Sequence, residues 1–284
     1  MANEVSLDRL VMLTGDLPSM PFIANKVMQI VSNPDSPVIA LQKVIEDDQA
    51  LTGRILKIAN SAMYARRRQI TKLTDAIVML GFNTIRSISV TSATRNLYLK
   101  KGKVLGLKDK LLWEHSVAAG IAGRLVANKV NPVNAEEAFL WGLLHDIGKL
   151  VILQQLPDEF DRIVESVYNE GKEFAETEQE LLGFTHAEVG ALLIRKWNLS
   201  ERFEHAVLHH HDFNKMDEAP DQVILSIDVS NKICKKLGFG FVRRENMDLL
   251  EDPSTQALGI TSDKLENLLT MSKQMIHEEM DLFS

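Results

Sequence analysis

The chain has 284 residues, 45% of them apolar and 25% charged. That is enough for a sizeable core in one large or two modest domains, and too well mixed for a disordered or fibrous chain. Acidic residues outnumber basic ones 39 to 32, and the net charge of −7 argues against a nucleic-acid protein held by bulk charge.

No apolar run approaches the roughly 20 residues of a membrane span, so no membrane partner is expected. The opening MANEVSLDRL lacks the basic and apolar regions of a signal peptide. The single cysteine, Cys234, fits a reducing cytosol, and a cytoplasmic location is expected.

Helical periodicity runs along most of the chain. Leu51, Ile55, Ile58 and Ala62 fall on one helix face, and Asp47 and Asp48 precede them where a carboxylate can cap free N–H groups. In the ANSA run at 59–62, small residues suit close helix packing, with Asn60 bonded to neighbouring backbone. Thr74 or Asp75 opens a helix over 76–80, and Gly81 stands where a C-terminal glycine is expected. Asn83 caps the next run, which carries Ile85, Ile88 and Val90. The basic, glycine-containing stretch 100–110 is the gentlest seam. Beyond it, helical patterns cover 111–128, 135–153, 159–168, 176–182, 186–197, 201–209, 222–237 and 264–282, with the prolines between the runs. Strand signals are poor, and the fold class read from this pattern is all-α. The expected organisation is an N-terminal helical lobe (1–105), a histidine-bearing helical lobe (106–240) and a C-terminal helical extension (241–284).

Seven of the eight histidines lie between His115 and His211. In WGLLHDIGKL, His145 and Asp146 stand side by side in an apolar helix, where an imidazole and a carboxylate are costly unless paired or metal-bound. Both can reach one ion between them, or the carboxylate can bridge two. Lys149, one turn later, is near enough to contact a phosphate or to neutralise the carboxylate. His115 is flanked by Ala118, Ala119 and Gly120. His186 opens the next helical run, with Gly190 leaving room on the same face. His209, His210 and His211 close another. Each alone has an ordinary explanation as a packed or helix-ending residue. Together, ligands from four helices form the pattern that a metal centre in a helical bundle requires. Imidazole with carboxylate and no thiolate suits one or two divalent ions such as Fe, Mn, Zn or Ni.

The order His115, His145-Asp146, His186, His210-His211 resembles the HD superfamily of metal-dependent phosphohydrolases, including its HD-GYP branch. The segments LPSMP (17–21), EDDQALTGRILKIANSAMY (46–64) and DAIVMLGFNTIR (75–86) resemble, more specifically, the HDOD (HD-related output domain) branch. The resemblance covers roughly residues 17–240. It implies a bacterial signalling or regulatory module with a signalling protein as partner. It also implies His115, His145, Asp146, His186, His210 and His211 as metal ligands. The pattern's late aspartate falls at Asn231, with Asp228 one turn earlier as its substitute ligand. The glycine-tyrosine-proline signature is missing, since DFNKMDEAP follows the histidines, and Leu111 stands where an acidic ligand precedes His115. The competing implication is a phosphohydrolase acting on a small phosphorylated ligand or cyclic dinucleotide. In that reading Asp146 bridges the ions and Lys149 assists the leaving or attacking oxygen. The short stretch ahead of residue 17 leads to the expectation of no fused receiver domain and of input from another chain.

Overall fold

The computed structural model describes residues 17–61, 64, 69–98, 106–213, 216 and 219–283. Ala62, Arg66 to Arg68, residues 100–105 and four positions of the DFNKMDEAP stretch (214, 215, 217 and 218) lie outside the described residues. Among the described residues the regular structure is helical, without strands. No single helix among them is long and apolar enough to cross a membrane.

Two compact units divide the chain. One comprises residues 20–104 with 277–284. Its helices are α1 (Phe22–Val31), α2 (Val38–Glu46), α3 (Gln49–Ala59), α4 (Leu73–Leu80) and α5 (Phe82–Tyr98). Helices α1 and α2, absent from the expected elements although Ala24 and Val27 and then Leu41 and Ile45 are buried at helical spacing, start directly after Pro21 and Pro37. A proline lacks an N–H to leave unpaired and suits such a start. Asp48 caps α3 by accepting from Leu51 N at 2.9 Å. Leu51, Ile55 and Ile58 are buried on the expected face. Asn60 clamps the turn that follows: its amide donates to the Leu56 and Ile70 carbonyls, and its Oδ1 accepts from Ile70 N, each at 2.8 Å. Helix α4 begins at Leu73, just before the expected Thr74 or Asp75. It ends at Gly81, whose φ of +78° is strained for any other residue, and α5 leaves at 110° to it. The buried hydroxyls of Ser89 and Thr91 in α5 donate to the Ile85 and Ser87 carbonyls.

The second unit comprises residues 1–19 with 105–276. It holds α6 (Leu107–Val130), α7 (Ala135–Leu144), α8 (Ile147–Gln155), α9 (Pro157–Glu170), α10 (Phe174–Leu182), α11 (His186–Lys196), α12 (Glu201–His209), α13 (Gln222–Leu237), α14 (Pro253–Ala257) and most of α15 (Ser262–Phe283). Leu17 and Pro18 of the LPSMP segment accept, through their carbonyls, from Lys196 Nζ and Trp197 Nε1. Cys234 is buried, which pushes its thiol pKa up.

Two close approaches set the histidines in place. Helices α6 and α7 meet through small residues: a Cβ on Gly142 would lie 2.6 Å from the Ala119 carbonyl oxygen, and one on Gly123 would lie 2.8 Å from that of Ala138. Helices α8 and α11 meet at Gly148, where a Cβ would lie 2.0 Å from the His186 carbonyl oxygen. Gly190 therefore makes room for Val207 and the Gly148 backbone, not for an imidazole as the sequence suggested.

The expected single helix over 135–153 is two helices. It breaks at His145, which ends α7, and Asp146, which starts α8 with φ −101° and ψ 12°. The Asp146 carboxylate bonds Lys149 and gives no side-chain cap to α8, so the break turns it away from the helix it begins.

Candidate metal centre

Four imidazoles are held by bonds at their Nδ1 atoms. His145 sits at the end of α7, and its Nδ1 lies 2.7 Å from the Gly142 carbonyl. His210 sits at the end of α12, and its Nδ1 lies 2.6 Å from the Val207 carbonyl. Both acceptors are three residues back, among the last carbonyls of a helix, which have no partner within it. Two helix ends are thus converted into two histidine mounts. His115 Nδ1 meets the Phe239 carbonyl at 3.0 Å. That approach depends on Gly240, where a Cβ would lie 2.9 Å from His115 Cβ.

His186 begins α11 behind a Thr185–Glu188 capping box. Its Nδ1 and backbone N–H both reach Glu178 Oε2, at 2.5 and 2.8 Å. A carbonyl can only accept, so the Nδ1 atoms of His115, His145 and His210 carry the proton and their Nε2 atoms present lone pairs. Bonds of this kind fix the tautomer and orientation of metal-bound histidines.

The Nε2 atoms converge on Asp146 from two sides. Facing Oδ1 are His186 at 3.1 Å and His210 at 3.4 Å, and His211 Nε2 lies 2.8 Å from that of His186. Facing Oδ2 are His115 at 3.4 Å and His145 at 3.5 Å, with Lys149 Nζ at 2.6 Å. In each set, Asp146 with His186, His210 and His211 or Asp146 with His115 and His145, all ligand atoms lie within 4.8 Å of one another. A cation with bonds of about 2.1 Å spans about 4.2 Å between opposite ligands, so both sets are of cation size. Asp146 Oδ1 and His145 Nε2 are buried and lack a hydrogen-bond partner within the protein. The Nε2 lone pairs of His115, His145 and His210 face the Asp146 carboxylate, an arrangement that a divalent ion satisfies. Asp146 is shared by both sets.

The electrostatics follow the geometry. Burial opposes ionisation of Asp146, but His145 and Lys149 outweigh it and hold its carboxyl well below the usual range. Burial holds His115, His145 and His210 below the ordinary imidazole pKa, His145 furthest. His186 goes the other way, because Glu178 outweighs its burial.

The Lys149 ammonium pairs with Asp146. Asp228 is in neither set. Its carboxylate lies 2.6 Å from Lys232, which also pairs with Asp252. Asn231 is buried, and its Oδ1 lacks a hydrogen-bond partner. His205 and His209 lie outside both sets.

Glu178 was not singled out from the sequence. It looks like part of a solvated charge run with Glu176 and Glu180, yet it is fully buried and belongs to the apolar face of Phe174 and Leu182, four residues away on either side. That register was the available signal. Glu178→Gln removes the charge behind His186 while keeping an acceptor, and should weaken divalent-metal binding about tenfold, a loss typical of such supporting partners. Competition titration against a chelating dye measures it.

Residues 17–213 match the family model of the HDOD domain. A crystal structure of an HDOD domain protein of unknown function from Geobacter sulfurreducens is 27% identical with a TM-score of 0.83, covering 98% of this chain and 99% of that one. A protein from Shewanella amazonensis SB2B, provisionally described as a phosphohydrolase, is 25% identical with a TM-score of 0.74, covering 96% of both chains. An uncharacterized protein of Treponema pallidum (strain Nichols) is 22% identical over 262 residues, and the chain spans 49% of that relative's length.

Proposed function

The chain belongs to the HDOD domain family, and from that premise we propose a regulatory signalling protein built around a divalent metal centre and acting through contacts with other proteins. One observation carries the metal reading: the buried Asp146 carboxylate is shared by two sets of imidazoles, and in four of those five imidazoles Nδ1 is already committed elsewhere. His186, His210 and His211 with Asp146 would hold one ion, and His115 and His145 with Asp146 a second. Two observations favour regulation over turnover. The cleft at the centre has a volume of only about 30 Å³, and Lys149 is engaged by Asp146. In this reading the centre orders six helix-borne side chains, so ion occupancy sets the stability of the unit that a partner contacts.

The second reading is a metal-dependent phosphohydrolase. It is favoured by the likeness to the Shewanella protein and by the Asp146 carboxylate being shared by both sets. A bound divalent ion supplies a Lewis acid and a hydroxide source near neutral pH. The chain's own contribution would be to hold Asp146 ionised and to place the Lys149 ammonium for a phosphoryl oxygen. The ligand in either reading is a small phosphorylated molecule or cyclic dinucleotide.

Elemental analysis of protein purified without added metal, followed by a phosphodiesterase assay with Mn or Fe, separates them. Regulation predicts one or two ions per chain and no turnover. Hydrolysis that Asp146→Ala abolishes would establish the second reading, and metal content near zero would sink both. Asn231→Asp tests whether the late position has lost a ligand: a rise in metal affinity is expected, and no gain would show that Asn231 is outside the centre.

A further inference from the structure

The wall formed by Phe241 and Val242 separates two pockets of the second unit. The inner one, about 30 Å³, contains His115, Asp146, Lys149 and His211. The outer one, about 530 Å³, is lined by Tyr168, Gly171, Arg243 and Arg244 as well. Glu173 and Lys235 also line the inner pocket, so they stand in the space that leads to Asp146 and Lys149.

Three charged residues hold that boundary. Glu173, at the start of α10, places Oε2 2.8 Å from Lys235 Nζ and Oε1 2.8 Å from Arg244 Nη2. Lys235 and Arg244 are themselves brought together by the Arg244 N–H, which donates to the Lys235 carbonyl at 2.8 Å. One carboxylate thus faces two cations. It also leaves a donor over: the Arg244 Nε–H is buried and has no hydrogen-bond partner, an expensive omission for a guanidinium. A tetrahedral oxyanion has the charge and the third oxygen that a carboxylate lacks, and a guanidinium fork with an adjacent ammonium is suited to it.

We propose that Lys235 and Arg244 form an oxyanion subsite at the mouth of the metal centre, that Glu173 is its built-in occupant, and that the phosphoryl group of an incoming ligand displaces Glu173. The anion subsite stands on these contacts alone; its place as the entrance to a functional centre rests on the metal reading above. Displacement frees α10 at its first turn, beside Phe174, whose ring lies 4.7 Å from Lys149 Nζ. Ligand capture at the mouth is therefore mechanically connected to the residue that pairs with Asp146.

Inorganic phosphate is the probe, titrated by calorimetry into the full chain as purified, with metal content measured on every sample. Glu173→Gln keeps the shape of the side chain and removes the competing charge. Phosphate should bind about tenfold more tightly, equivalent to 1.4 kcal/mol. The gain should vanish in Glu173→Gln combined with Arg244→Gln, and likewise with Lys235→Gln. Unchanged affinity in Glu173→Gln would overturn the proposal, as would a gain that survives both second substitutions. Phosphate held by the metal itself is common to all variants at equal metal content, so the comparison isolates the subsite. Metal-free samples that still show the Glu173→Gln gain would sink the metal reading and leave the subsite intact.

Discussion

Asp146→Ala should lose both bound metal and stability, and the two losses can be pulled apart. The carboxylate is the only residue common to both ligand sets, so its removal takes one ligand from each. Metal affinity should fall by more than the roughly 10 to 100-fold seen when only a supporting partner is lost. The stability loss has a different origin. Asp146 is the close partner of the buried Lys149 ammonium, at 2.6 Å, and breaking a buried pair from one side costs about 3–5 kcal/mol. Replacing the second charge as well removes the unpaired cation. Asp146→Ala with Lys149→Met should therefore regain much of the stability while remaining metal-free. Urea unfolding and elemental analysis on the two variants check both halves. A double variant no more stable than Asp146→Ala would show that the stability comes from the ion, not from the pair.

The helical class could be read in advance because it depends on spacing alone: Leu51, Ile55 and Ile58 are buried on the face their intervals define. Single residues with a local effect were also legible, such as Gly81 ending α4 and Asp48 capping α3. Less legible was anything requiring two segments at once. His145 and Asp146 looked like interior helix residues, since every neighbour is compatible with a helix; the break appears only once Asp146 has partners from α6, α11 and α12. Glu178 was hidden for the same reason, since its partner is eight residues and one turn away. Gly190 was noticed for the right property and given the wrong neighbour. Its lack of a side chain serves the crossing of α11 over α8, a contact between residues 42 positions apart. The ion pairs of Glu173 with Lys235 and Arg244 span more than 60 positions and carry no local signature at all.

That crossing makes Gly148→Ala the sharpest test of how the site is built. By helix propensity alone the change should stabilise α8 by up to about 1 kcal/mol. The crossing reverses the sign. The new Cβ would lie 2.0 Å from the His186 carbonyl oxygen and 2.8 Å from Gly190 N, both backbone atoms, so no rotamer change relieves the overlap. Helices α8 and α11 have to separate by more than an ångström, and overpacking of this kind costs typically 1–3 kcal/mol or more. His186 is tied to Glu178 through its backbone N–H and its ring, so it is not free to stay with Asp146 as α11 moves. The 3.1 Å approach of its Nε2 to Asp146 Oδ1 is lost, and metal affinity should fall with stability. Gly53→Ala is the matched control. Gly53 is also inside a helix, with nothing within 4 Å of its added Cβ, and should gain about 0.5–1 kcal/mol. Urea midpoints of opposite sign for the two alanines, with metal lost only from Gly148→Ala, would identify the crossing as what holds His186 over Asp146. A Gly148→Ala protein as stable as its parent and fully loaded with metal would refute it.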